Sequence, residues 1–245
     1  MKTIDLEIKF KGETLNLSYY NDADFNLYFL NQFGIVNDDV SNLHSQVHGF
    51  VTGTLHFILD NIQLPPNPTV IDIGSGNSVI DLALSKYLNQ QANFILVDGN
   101  SWNDNHVLHT GEFSTYNSWK MVTDAMKLSG IDNSRFSMHN IDYEFNEQAD
   151  LIISTNSWGM HYPIDVYLEK VVRALKPGGY LVLFPIINIK GYKDSVDSVL
   201  TNVFTESESN WMREGLEWDK WKVYFPHLTD DEPTALRCIW QKPLA

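Results

Sequence analysis

The residues best suited to chemistry in this 245-residue chain lie in four short segments. The first is Asp72-Ile73-Gly74-Ser75-Gly76-Asn77-Ser78, between an apolar run and a helical one. Glycines there let the backbone turn sharply and approach a ligand closely, and the start of the helix offers free amide donors. What the loop lacks narrows the ligand. Val79 stands where a nicotinamide fingerprint wants glycine, and no Gly-Lys-Ser/Thr closes the loop as in a triphosphate-binding P-loop. The second segment is Asp98, followed by Gly99 and Asn100, 22 residues beyond Gly76 at the end of another apolar run. A carboxylate there can accept both ribose hydroxyls of an adenosine-containing cofactor. In the third, Asn140-Ile141-Asp142, a side-chain acceptor and a backbone amide can read an adenine edge. The fourth runs from Ser154 to Pro163 and holds His161, whose ordinary pKa suits proton transfer at neutral pH.

The remaining candidates point elsewhere. His44 and His48 share a helix face, but Ser45 stands where a zincin pair carries glutamate, so they read as a solvated face. His106 and His109 fall in the polar stretch 100–116, read as a loop over the cofactor. The single cysteine, Cys238, excludes an intramolecular disulfide framework and a cysteine-built zinc site. Asp150 sits at a strand start, so no acid cluster forms for metal-assisted catechol-type chemistry. No metal is expected.

These segments need a scaffold that brings them to one edge. Ile4, Leu6, Ile8 and Phe10 alternate, Lys11-Gly12 turns, and Leu15, Leu17 and Tyr19 continue, which predicts a β-hairpin. Asp22 or Asp24 can cap a short helix through Phe33, which Gly34 ends. From about Asp38-Asp39 a second helix carries Val40, Leu43, Val47, Val51, Leu55, Ile58 and Leu59 at helical spacing. Pro65, Pro66 and Pro68 form a stiff linker, and the boundary is placed there, with a cap at 1–64 and the main domain at 69–245. Beyond it, strands are expected at Thr69–Ile73, Phe94–Val97, Phe136–His139, Leu151–Ser154 and Tyr180–Phe184. Helices are expected at Val79–Leu88, Thr115–Leu128 and Val166–Leu175, with Lys176-Pro177-Gly178-Gly179 as a turn. Continuous apolar strands alternating with helices predict a parallel sheet covered on both faces. In the tail a helix is expected around Ser195–Phe204, then an antiparallel pair, Lys220–Phe225 with Leu236–Gln241. Open parallel sheets bind ligands beyond the carboxyl ends of their strands, where the glycine loop, Asp98 and Asn140–Asp142 all fall.

Val70-Ile71-Asp72-Ile73-Gly74-Ser75-Gly76, Asp98, Asp150-Leu151-Ile152-Ile153 and Leu175-Lys176-Pro177-Gly178-Gly179-Tyr180-Leu181 together resemble the motif series of class I S-adenosylmethionine-dependent methyltransferases. The resemblance covers roughly residues 69–185. It implies an α/β, Rossmann-like doubly wound fold: a mostly parallel seven-stranded sheet closed by an antiparallel C-terminal hairpin, here with an N-terminal β-hairpin and helical cap. It implies S-adenosyl-L-methionine as cofactor, with Asp72, Gly74, Ser75, Gly76, Asp98, Gly99, Asn100, Asn140, Ile141, Asp142 and Thr155 around it. Gly74 and Gly76 would lie beside the methionine moiety, Asp98 on the ribose, and Asp142 or Asn140 near adenine. Ser78 departs from the pattern, since many members carry a third glycine there.

The same resemblance sets Ser154–Pro163 beside the donated methyl group. This segment is not the Asn/Asp-Pro-Pro-aromatic signature of enzymes that methylate base amines, and Ser157–Pro163 is similar to segments of sugar O-methyltransferases. His161 is therefore the candidate general base, with Trp102, Asn156, Trp158 and Tyr162 lining the acceptor pocket. The cap is expected to cover that pocket and exclude water. The expected activity is methyl transfer to a small molecule, at a hydroxyl. The alternatives are aminopropyl transfer from a related donor, or a catalytically silent member that only binds the cofactor.

Composition limits the partners. Hydrophobic residues at 43% and charged residues at 20% are globular values. No apolar run approaches the roughly 18 residues of a membrane span, and MKTIDLEIKFKGE lacks a signal-peptide core. A cytoplasmic protein is expected. With 31 acidic against 17 basic residues the net charge is −14, which repels polyphosphate surfaces, so nucleic acid is not expected as a partner.

Overall fold

A computed structural model describes residues 2–22, 25, 29, 40–99, 118–155, 157–158, 164–188, 191–207 and 234–244. The chain opens with two antiparallel strands, β1 (Thr3–Phe10) and β2 (Glu13–Tyr20), joined at Lys11-Gly12. Both turn residues have positive φ, 47° and 83°, the twist that a two-residue hairpin requires. Asp22 accepts the amide of Phe25 at 3.0 Å, the geometry of a helix cap, and the rest of that expected helix lies largely outside the described residues.

The main sheet alternates with helices: α1 (Val40–Leu59), β3 (Thr69–Ile73), α2 (Val79–Tyr87), β4 (Asn93–Val97), α3 (Trp119–Leu128), β5 (Phe136–His139), β6 (Ala149–Thr155), α4 (Asp165–Ala174), β7 (Leu175–Asn188), α5 (Tyr192–Asp197), β8 (Thr201–Ser207) and β9 (Thr234–Gln241). Spatial order is β5-β4-β3-β6-β7-β9-β8, with the first five strands parallel and β9 antiparallel to both neighbours. The order reverses between β3 and β6. Such a switch point leaves a crevice at the strands' carboxyl ends, where doubly wound folds bind ligands.

Alternation within each strand divides the core. Val70, Phe94, Leu96, Leu151, Ile153 and Val182 face α1, α2 and α3, whereas Ile71, Ile73, Ile95, Val97, Ile152, Leu181 and Leu183 join the other core with α4 and α5. The hairpin covers the first set of helices as an additional layer. Ile4, Leu6, Ile8, Phe10, Leu15, Leu17 and Tyr19 are all buried on it. This is why every residue of α2 from Val79 to Ser85 is buried, with sheet on one side and hairpin on the other.

Two sequence expectations are corrected here. The helix expected around Ser195–Phe204 stops at Asp197, and Thr201–Ser207 is instead the edge strand β8, paired with β9. Val196, Val199, Leu200, Val203 and Phe204 satisfy helical spacing, but cross-strand pairing with β9 decides, and exposure alternates along the strand with Asn202, Phe204 and Glu206 half-buried. The Lys220–Phe225 strand lies outside the described residues. Lys176-Pro177-Gly178-Gly179 is not a turn before the strand but a bulge inside β7, between the Ala149↔Leu175 and Leu151↔Tyr180 pairs. Finally, the hairpin's contacts fall away from the ligand edge. Phe10 meets His56 of α1 and Tyr87 of α2 at ring separations of 4.7 and 5.0 Å, and the Ser18 amide donates to Ser129 beyond α3 at 2.8 Å. These are the trailing ends of the helices, so the described contacts of the hairpin brace the base of the sheet.

Candidate active site

The glycine loop is shaped by the strands beneath it. The Gly74 amide donates to the Val97 carbonyl at 2.7 Å, which binds the end of β3 to the end of β4. Gly74, Gly76 and Ser78 have φ of 78°, 53° and 57°. Glycine adopts that region at no steric cost; serine does not. A Cβ on Gly74 would also fall 2.0 Å from Ser157 Oγ and 2.2 Å from Ser157 Cβ. Gly74 is thus demanded twice, by its own backbone and by the segment after β6 that lies against it.

Asp98 sits half-exposed at the end of β4. Its Oδ2 accepts the Gly76 amide and its Oδ1 the Gly99 amide, both at 2.6 Å, while its own amide donates to His139 at 3.0 Å. A carboxylate has about four acceptor positions, and the two amides here fix its orientation. Asn140 and Asp142 are exposed beyond β5, and Ile141 is half-buried with its carbonyl accepting Tyr167 Oη at 3.0 Å. The ring of Tyr143 stacks on His139 at 3.7 Å and closes this corner. Thr155 is half-buried at the end of β6, and Ser75 is buried within the loop. The carboxyl ends of β3, β4, β5 and β6 therefore gather the glycine loop, Asp98, the Asn140–Asp142 corner and Thr155. That set fits an adenosine cofactor: a backbone loop accessible at Gly74 and Gly76, with an oriented carboxylate beside it.

Two expected site residues have other surroundings. Asp72 was expected on the cofactor, yet its carboxyl is 1% exposed. Alternation along β3 puts it on the Val70 face, beneath α2, against the fully buried Asp81. Burial pushes the Asp72 carboxyl well above the usual range, and the charges of Asp81 and Asp98 add to the shift. Burial likewise pushes Asp81 up to about 7. Two carboxylates cannot donate to each other, and Asp72 Oδ1 and both Asp81 oxygens meet no donor among the described residues. A retained proton lets them hydrogen-bond. Trp158 was expected to line the acceptor pocket, but it is 0% exposed in the core shared with α4, and its Nε1 donates to the Ile164 carbonyl at 3.1 Å. The indole anchors the segment instead of walling the pocket. Asn100, Trp102, Asn156, His161 and Tyr162, with His106 and His109, lie outside the described residues.

A methyltransferase-domain family model matches residues 43–240, from the first turn of α1 to the next-to-last residue of β9. The chain belongs to that family. It is an S-adenosylmethionine-dependent methyltransferase with the class I fold. Solved structures carry the same architecture at low identity. The [4+2]-cyclase SpnF shares 13% identity over 91% of this chain and 94% of its own, with a TM-score of 0.55. Residues 961–1257 of the StiE O-methyltransferase unit share 11% over 89% and 81%, at 0.54. The YcgJ protein of Bacillus subtilis shares 13% over 79% and 99%, at 0.50. At these identities the likeness is one of fold, and a cyclase among them shows that the fold alone does not set the reaction.

Sequence reasoning missed Ser154, Ser157 and Asp81. Asp81 had a visible signal, a lone acid in the apolar run Val79-Ile80-Asp81-Leu82-Ala83-Leu84. The two serines had none, because their roles depend on where β6 ends relative to β3.

Proposed function

We propose that this methyltransferase methylates a hydroxyl of a small-molecule acceptor, with His161 as general base and a sugar as the first acceptor class to test. The observation that carries the reading is the seating of Ser157 against Gly74. It sets Ser157, in the segment whose sequence continues to His161, against the loop that would hold the cofactor's methionine end. Bound S-adenosylmethionine supplies an electrophilic methyl group; the chain's residues align the acceptor, exclude water and take up the hydroxyl proton. Asp98 would hold the ribose, and Gly74, Ser75 and Gly76 the methionine portion. Asn140, Ile141 and Asp142 would flank adenine, with Gly99, Asn100 and Thr155 completing the site. Trp102, Asn156 and Tyr162 are proposed for the acceptor side.

A non-polyanionic acceptor agrees with the net charge of −14, and no described helix is long and apolar enough to cross a membrane. The test is incubation with methyl-labelled cofactor and a panel of sugars, phenols and amines. Label is expected on a hydroxyl-bearing product, with S-adenosylhomocysteine released in equal amount. His161→Ala is expected to abolish turnover while leaving cofactor affinity intact; unchanged turnover would remove His161 from the mechanism. Cofactor binding without turnover of any acceptor would favour a silent member of the fold.

A further inference from the structure

The parallel ladder between β3 and β6 pairs Val70 with Leu151, Ile71 with Ile152 and Asp72 with Ile153, and then stops. One residue further on, a side chain takes over from the backbone. Ser154 Oγ donates to the Ile73 carbonyl at 2.6 Å and accepts the Trp158 amide at 2.9 Å, and the serine is 1% exposed. Ile73 immediately precedes Gly74. Trp158 is the buried anchor of the segment that leads toward His161, and Ser157, beside it, lies against Gly74. The 154–158 segment is thus fastened to the cofactor loop through Ser154 and through Ser157, and to the core through Trp158.

We propose that Ser154 is a positioning residue that locks the acceptor-side segment to the cofactor loop, so that occupancy of the loop orders the segment. One hydroxyl serves as donor to one loop and acceptor from the other, a role that alanine removes entirely. Its removal deletes both of these hydrogen bonds at the switch point, where in-line transfer requires donor and acceptor to be held in fixed register. The inference rests on the cofactor assignment and is independent of the acceptor's identity.

The test is hydrogen–deuterium exchange of the full-length protein with and without S-adenosylhomocysteine, on wild type and on Ser154→Ala, Ser154→Thr and Ser154→Cys. In wild type, ligand is expected to slow exchange in peptides spanning 154–164 as well as in 72–79, by at least about threefold in each, as linked opening requires. Ser154→Ala is expected to bind the ligand within about fivefold of wild type and to keep protection at 72–79 while losing it at 154–164. Ser154→Thr, which keeps the hydroxyl, should restore the coupling. Ser154→Cys conserves volume with a weak donor and acceptor, and so serves if the alanine variant fails to fold; it too should lose the coupled protection. A merely structural serine would lower the melting temperature and leave the coupling unchanged, and that result overturns the proposal. Absence of ligand binding by wild type would instead overturn the cofactor assignment.

Discussion

Ser78 shows how a single side chain can work against its position. As the first residue before α2 it would normally cap the helix from an extended backbone, but it has φ 57° and ψ 26° and makes no side-chain cap. Its hydroxyl is buried without a partner among the described residues. A left-handed non-glycine residue costs about 1–2 kcal/mol, whereas glycine loses roughly 0.5–1 kcal/mol in unfolded-chain entropy. The first effect is the larger, and removing the stranded hydroxyl adds to it. Ser78→Gly is therefore expected to stabilise the protein by about 1 kcal/mol, a rise of about 2–4 °C in melting temperature for a chain of this size. Gly74 lies on the opposite side of the same argument. Gly74→Ala combines a forced positive φ with overlap onto Ser157, and strain of about 1–3 kcal/mol corresponds to roughly 5–150-fold weaker binding if the loop yields. Calorimetric titration with S-adenosylhomocysteine should show that loss. Adding Ser157→Gly to Gly74→Ala should recover part of it, since the clash goes and the φ penalty stays.

At the scale of elements, β3 and α2 are joined by a polar contact that their apolar sequences conceal. Asp72 and Asp81 face each other with both carboxyls raised, Asp81 to about 7, so in the folded protein they bind protons that the unfolded chain releases near 4. The sign follows from linkage. The stabilisation is fully present below the unfolded pKa and is lost as pH rises through the folded one. Each proton is worth about 1.4 kcal/mol per pH unit in that window. Denaturant unfolding at pH 5, 6 and 7 should show wild type losing on the order of 1 kcal/mol per pH unit more than Asp81→Asn; parallel profiles would show that no proton is held there. The same pair marks the limit of the sequence reading. The Thr69–Ile73 and Phe136–His139 strands, the glycine loop and Asp98 were legible because continuous apolar runs and loop glycines report local backbone needs. Asp72 was misplaced because strand period two, applied across β3, assigns a face but does not identify the neighbour waiting on it. Trp158 was misplaced for a related reason: its neighbours suggested a pocket, while its ring had already been claimed by α4. The edge strand β8 was hidden because Val203 and Phe204 continue the helical spacing of Val196, Val199 and Leu200, and only pairing with β9 makes them a strand.

For the whole molecule, the hairpin and α1 are not a detachable cap. One buried cluster runs from Ile4 through Leu17, Val47 and Leu55 to Val70, Leu82, Ile153 and Val182, across the proline linker at residues 65–68. Removing apolar surface from the outer layer therefore acts on the stability of the entire fold, although that layer contacts the base of the sheet and the cofactor loop lies at the opposite edge. Leu17 is fully buried in β2, paired with Leu6. Leu17→Ala creates a cavity that costs about 2–4 kcal/mol. At about 2–4 °C per kcal/mol, the melting temperature should fall by roughly 5–15 °C. Where the variant is still folded, its affinity for S-adenosylhomocysteine should stay within about twofold of wild type, because the hairpin's hydrogen bonds and ring contacts with α1, α2 and the end of α3 run to His48, His56, Leu59, Tyr87 and Ser129, away from residues 74–78. Thermal unfolding monitored together with ligand titration at 15 °C separates the two effects. A variant that keeps its melting temperature but loses the ligand would place the hairpin at the site after all, and a fall in both, in proportion, would mean that the base of the sheet and its ligand edge open as one unit.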